Sequence, residues 1–174
     1  MADAAAPAAG ETLDALFGGG QPAHPAFVVP DDGQVLSYAE MADRVETLAG
    51  RLAAAGVRRG DRVALTLPNS PDFVQLLLAI TLLGAAAAPL NPAYTEPEYT
   101  FYLEDVAPRL LLMPAGMPPA ATAAAVATGT PVLGVAEVAG GPPDLLRDGE
   151  PVSGRAGFAR GTPDGGGQRM LRAR

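Results

Sequence analysis

The chain contains no cysteine and a single histidine in 174 residues, and its twelve basic residues are all arginine. Each shortage excludes something. Without cysteine there are no disulfides and no thiolate metal sites. Without lysine there is no Walker-type phosphate loop, because that motif sets a lysine on the terminal phosphates. His24 is the one imidazole a Ser-His-Asp triad would have to use. It lies between Pro22 and Pro25, after Gly18 to Gly20, in a loop context that does not hold a base rigidly. The use of Arg in place of Lys accompanies an abundance of Ala, Gly and Pro and reads as compositional bias.

Charge is unevenly spread. Residues 1–152 carry seven Arg against eighteen acids, a balance of −11, while residues 153–174 carry five Arg against one acid, +4. The acidic body argues against a nucleic-acid surface, which would need clustered positive charge to neutralise phosphates. The amino terminus has Asp3 where a secretory signal carries positive charge, and no apolar core follows, so a cytoplasmic location is expected. The twenty-three residues between Asp72 and Glu96 are uncharged. A membrane span needs roughly twenty predominantly apolar residues. Here the strongly apolar part ends at Leu83 and is followed by Gly84, an Ala run, Pro89 and Pro92, so a helix followed by a strand is expected and no membrane span.

Periodicity gives the elements. Residues 1–24 form an expected flexible segment, with Thr12 to Phe17 as one or two helical turns. Ala26 to Pro30 and Gln34 to Leu36 flank Asp31-Asp32-Gly33, a hairpin signal because Asp-Gly supplies positive φ where strands reverse. Ser37 and Glu40 make a capping box for a helix to Ala55, with Tyr38, Met41, Val45, Leu48 and Leu52 on one face and Gly56 as its stop. Glu40 and Arg44 form an i,i+4 pair on its wet side. A strand over Arg62 to Leu67 leads to Ser70 as N-cap and Pro71 at the first position of a helix to Leu83. That helix is apolar nearly all round, which predicts burial on more than one side. Ala85 to Leu90 is a second strand. Thr95 and Glu98 repeat the capping-box spacing for a helix to about Val106, broken by Pro108. Arg109 to Met113, Pro118 to Thr128 and Pro131 to Val135 then read as strand, helix and strand. The alternation predicts an α/β fold, a mostly parallel sheet of βαβ units with helices on both faces, preceded by a short β-hairpin. The ordered domain is expected over 25–146, with residues 147–174 as a disordered, basic, Gly-rich tail.

Motifs are few. No glycines stand at GxGxxG spacing. Pro68-Asn69-Ser70-Pro71 offers a hydroxyl and helix N–H groups to an anion, but capping accounts for it. Tyr94, Tyr99, Phe101 and Tyr102 would line a cleft or, as aromatics at helical spacing usually do, pack a core. Asp31-Asp32 and Glu104-Asp105 sit at turn or helix-end positions, where solvation explains them. Metal-ligand spacing is absent.

Several runs taken in order carry a resemblance. They are Leu36-Ser37-Tyr38, the helix stopped by Gly56, Gly60-Asp61-Arg62-Val63-Ala64, Pro68-Asn69-Ser70, Gly84-Ala85, Pro89-Leu90-Asn91-Pro92 and Tyr94. From about Ala26 to Met113 the chain resembles the early part of the acyl-adenylate-forming (AMP-binding) synthetases. Asn91-Pro92-Ala93-Tyr94 followed by Glu98 and Tyr102-Leu103 looks most like the acyl-CoA synthetase branch, oxalate–CoA-ligase-like members included. The resemblance implies a large amino-terminal domain and a small mobile carboxy-terminal one. It also implies ATP and acyl sites between later subdomains, with magnesium assisting adenylate formation and CoA displacing AMP. The family's phosphate loop, usually Thr-Ser-Gly-Thr-Thr-Gly-x-Pro-Lys-Gly, has only superficial echoes, at Thr128-Gly129-Thr130-Pro131 and Gly161-Thr162-Pro163. The adenine- and ribose-binding motifs, the hinge and the catalytic lysine have no counterpart. No catalytic, cofactor-binding or metal residue is therefore carried over. The expectation is an incomplete amino-terminal subdomain that binds no ATP, magnesium or CoA by itself. Its expected partner is the remainder of a ligase chain, either as a lost continuation or as a separately encoded chain that this one completes.

Overall fold

The computed structural model describes residues 21–29, 33, 35–116 and 118–154. The expected turns at Thr12 to Phe17, the Asp31-Asp32 pair and the basic tail from residue 155 lie outside them. Strands β1 (Pro25–Val28) and β2 (Val35–Ser37) pair antiparallel, with Phe27 opposite Leu36. Residues 21–24, grouped with the flexible segment by the sequence reading, are instead tied to the next helix. The Tyr38 N–H donates to the His24 carbonyl and the Ala39 N–H to that of Pro22, each at 3.0 Å.

Helix α1 (Tyr38–Ala54) begins at the expected box: Ser37 Oγ accepts from the Glu40 N–H (3.3 Å), and the Glu40 carboxylate accepts from the Ser37 N–H (2.9 Å). Met41, Val45, Leu48 and Leu52 are buried as their spacing requires, while Tyr38 is only half-buried. The order continues with β3 (Arg62–Leu65), α2 (Pro71–Leu82), β4 (Ala86–Pro89), α3 (Glu96–Val106), β5 (Leu110–Pro114), α4 (Pro119–Thr128) and β6 (Val132–Ala136). Pro108 stops α3 as expected: Ala107, immediately before it, takes the left-handed conformation (φ 44°).

Strands β4, β3, β5 and β6 lie side by side and parallel. Alternation along them sorts the core into two layers. Val63 and Leu65 of β3, Leu110 and Leu112 of β5, and Leu133 and Val135 of β6 pack with α1 and α2. Ala64, Leu111 and Met113, from the intervening positions, pack with Tyr99 and Leu103 of α3 and with Ala121, Ala124 and Ala125 of α4. A fully buried leucine contributes about 2 kcal/mol, so central strands with no exposed face anchor the fold. At the outer side, β4 pairs only with β3 among the described residues. The Ala86 N–H donates to the Asp61 carbonyl (2.8 Å) and the Leu90 N–H to that of Leu65 (2.9 Å).

The ordered chain runs past the limit at residue 146 drawn from the sequence. β7 (Asp144–Arg147) pairs antiparallel with β6, and β8 (Glu150–Pro151) antiparallel with β7, so the sheet is mixed. Between Arg147 and Glu150, Asp148 (φ 53°) and Gly149 (φ 85°) form a two-residue turn of the kind whose left-handed backbone suits hairpin twist. Leu145 is fully buried. Arginines on α1 fasten the segment. Arg51 meets the Asp144 carboxylate at 3.2 Å and the Pro143 carbonyl at 2.7 Å, and Arg44 donates to the carbonyls of Gly140 (2.9 Å) and Gly141 (3.2 Å). Arg147 returns a bond to the Ala55 carbonyl (2.9 Å). Gly154 approaches α1 so closely that any Cβ there would collide with the Gly50 carbonyl.

Candidate functional site

Strand β3 has β4 on one side and β5 on the other, and the connections through α2 and α3 lie on opposite faces. The chain thus reverses its winding direction between β3 and β5. In open α/β sheets the crevice outside the carboxyl ends of the strands at such a point is where ligands bind. A cleft of about 240 Å³ opens there.

Its walls come from the loops that leave β3, β5 and β6 and from the first turn of α2. Pro68 follows β3, Pro114 closes β5, and Val135 and Glu137 bracket the end of β6. Ser70 caps α2, its hydroxyl accepting the Phe73 N–H at 3.2 Å, with Pro71 in the first helical position. The capping role expected of Ser70 is thus occupied. Asp72 stands half-buried in the same first turn. Desolvation, and secondarily the negative charge of Glu137, hold its carboxyl above the usual range, while Arg44 pulls the other way. Negative charge at this helix end disfavours the anion reading of the Pro68–Pro71 run.

Three residues beyond Asp72, on the same side of the helix, Gln75 is fully buried against the cleft, and neither atom of its carboxamide has a hydrogen-bond partner. The sequence reading passed over it. The available signal was a lone amide within Phe73 to Leu83, a run otherwise apolar except for Thr81.

The aromatic cluster separates into core and surface. Tyr99 is fully buried; its hydroxyl lies 2.6 Å from Thr66 Oγ1 and donates to the Asn91 carbonyl at 3.0 Å. A phenol has one proton, so with that bond made the Thr66 hydroxyl donates to the phenolic oxygen. Tyr94 meets Tyr99 edge-on (5.7 Å) and stacks on Tyr102 at 4.9 Å, while Phe101 is 62% exposed. Bonding to Tyr102 raises the Tyr94 phenol above its ordinary value. The group buttresses α3.

Other sequence candidates take ordinary places. His24 is exposed and joined to its surroundings through its backbone. Gly129 is the left-handed cap of α4, and Thr128 and Thr130 bond to each other at 2.7 Å. Glu104 and Asp105 are exposed on the last turn of α3. Gly161-Thr162-Pro163 lies outside the described residues. Among the described residues, no three His, Asp or Glu side chains gather as a metal site would require, and no helix is long and apolar enough to cross a membrane.

Comparison with known proteins bears on this arrangement. The profile of the AMP-binding enzyme family matches residues 17–151. An oxalate–CoA ligase of Arabidopsis thaliana is 49% identical over 78 residues, which are 44% of this chain and 15% of that protein. A long-chain-fatty-acid–CoA ligase of Mycobacterium tuberculosis is 37% identical over 87 residues, 50% of this chain and 17% of that one. The chain therefore spans less than a fifth of the length of these relatives. Apo MatB from Rhodopseudomonas palustris superposes with a TM-score of 0.64 at 28% identity, over 81% of this chain and 27% of its own. The N-terminal domain of FACL13 from Mycobacterium tuberculosis does so with a TM-score of 0.55 at 35% identity, over 59% of this chain and 26% of its own.

Proposed function

The chain belongs to the AMP-binding enzyme family, and from that premise we propose that it is the amino-terminal scaffold of an ATP-dependent acyl-CoA synthetase, inactive by itself. The observation that carries this reading is the confinement of the likeness. The relatives are CoA ligases, and the aligned residues make up only 15% and 17% of their length. Adenylate formation draws negative charge onto phosphate oxygens, and positively charged groups or metal ions must already be in place to meet it. The cleft at the carboxyl edge instead gathers Asp72 and Glu137, and its one cation, Arg44, is engaged by the Gly140 and Gly141 carbonyls. The sequence contains no lysine. In this reading the ATP, magnesium and CoA that the family uses are held by other parts of a complete ligase. A cytoplasmic location follows from the supply of ATP and CoA that such an enzyme draws on. Purified chain is expected to show no acid-dependent exchange of pyrophosphate into ATP with oxalate, 4-coumarate or a long-chain fatty acid. Exchange that depends on any of these acids overturns the reading.

A second reading makes the chain a non-catalytic module that completes a separately encoded ligase chain. The exposed Phe101, continuous with the Tyr94–Tyr102 stack, favours it as a ready contact surface. Mixing with a ligase-like chain that lacks its own amino-terminal unit would restore CoA-ester formation under this reading and leave it absent under the first.

A further inference from the structure

We propose that the cleft at the carboxyl ends of β3, β5 and β6 binds a guanidinium group, gripped by the Asp72 and Glu137 carboxylates over the Gln75 carboxamide. This site is independent of the catalytic reading above. Four observations converge on it. The crevice lies where the winding of the sheet reverses, the expected place for a ligand. Two carboxylates face it against one arginine, leaving one negative charge uncompensated. That arginine, Arg44, directs its donors to two backbone carbonyls, although its charge still acts on Asp72. Finally, a fully buried Gln75 with both polar atoms unpaired is a feature that folding alone gives no reason to keep.

The chemistry of the walls selects the ligand. An anion would meet two carboxylates. A metal ion would find too few oxygen ligands. A primary ammonium is strongly hydrated, whereas guanidinium is planar, weakly hydrated and at home against apolar surface such as Pro68, Pro114 and Val135. Its five donors suit two carboxylates and the Gln75 oxygen together. The guanidinium can come from the chain's own Arg155, Arg160, Arg169, Arg172 and Arg174, or from another polypeptide. The chain's own arginines follow Gly154, the last described residue, which lies near the cleft. Gly154 rests against Gly50 of α1, and Arg44, six residues earlier on that helix, already lines the cleft. Six helical residues span about 9 Å.

The test titrates the full chain with N-acetyl-arginine methylamide and follows amide shifts by NMR. A parallel chain carries all five of those arginines as glutamine. Saturable binding around the millimolar range is expected in at least one chain, with the corresponding lysine amide at least about 5-fold weaker. Asp72→Asn or Glu137→Gln should weaken binding roughly 10-fold. Gln75→Met should weaken it while raising the melting temperature, a combination that a purely structural residue would not give. At least about 5-fold tighter binding by the five-Gln chain identifies the protein's own arginines as the occupant, since a covalently linked competitor is present at high effective concentration. Equal binding by both chains identifies an outside source. No saturable shift in either chain, equal binding of the lysine amide, or indifference to both carboxylate substitutions overturns the proposal.

Discussion

Removing one oxygen atom from Tyr99 tests the reading of the α3 layer. In Tyr99→Phe the ring still fills its place between α3 and the sheet, so no cavity forms. The loss falls on two partners. The Asn91 carbonyl belongs to an exposed residue and can turn to solvent, but the Thr66 hydroxyl is 1% exposed and its bond to Tyr99 is gone. A stranded buried hydroxyl costs about 1–3 kcal/mol, and at about 2 kcal/mol a domain of this size should melt roughly 8 °C lower. Thr66→Val is milder, because the phenol keeps its bond to Asn91. The double variant should cost less than the two singles added together, by about 1 kcal/mol, since the second change removes the group stranded by the first. Urea unfolding followed by circular dichroism measures all three. A Tyr99→Phe chain within about 0.5 kcal/mol of the parent, or strict additivity in the cycle, would refute the bridging role.

Three further outcomes follow from the same geometry. Leu145→Ala should cost about 2–5 kcal/mol in the same unfolding assay, because the fully buried Leu145 seats β7 on the core; a loss below 1 kcal/mol would mean that the segment merely lies on the surface. Gly149→Ala places a Cβ at φ 85° and should destabilise the β7–β8 turn by about 1–2 kcal/mol, seen as faster hydrogen exchange at Val152, whose N–H bonds the Leu145 carbonyl. For pH, Asp72 has a raised folded-state pKa, so the folded chain holds its proton more tightly than the unfolded one. Its contribution is present below its ordinary 3.8 and is lost as pH climbs through the folded value. Glu40 and Glu98 have lowered values, chiefly through bonds to Ser37 and Thr95, and act oppositely. Their contribution is present above 4.5 and is lost as pH falls through the depressed folded value. Asp72→Asn should remove this residue's share of the fall in urea midpoint as pH rises above about 4, and an unchanged profile would contradict the desolvation argument.

What could be read ahead of the structure was local. Both capping boxes, Pro71 at its helix start, the stop before Pro108 and the apolar spacing of α1 depend on residues three or four apart, and the structure repeats them. The two faces of β3 and β5 could be anticipated because alternation has a fixed period. The β7–β8 hairpin escaped because β7 is four residues long with one fully buried side chain, and its fastenings come from Arg51, nearly a hundred positions away. Its turn was nevertheless announced by Asp148-Gly149, the dipeptide type that also stands between β1 and β2, whose antiparallel pairing was expected. Gln75 escaped for a different reason. Whether a buried amide finds partners depends on which strands and loops close over it, and no spacing rule within α2 contains that information.

The outermost strand carries a consequence for self-association. Since Ala86 and Leu90 turn their amides inward to the neighbouring strand, alternation points those of Ala87 and Pro89 outward, and proline has none to give. A passing strand would find a single donor there, and at the opposite rim only the two residues of β8, the last of them Pro151. Both margins are thus poor templates for cross-β growth. A protein that joins this one must recognise side chains, and the exposed ring of Phe101 is a more natural point of contact than either border of the sheet.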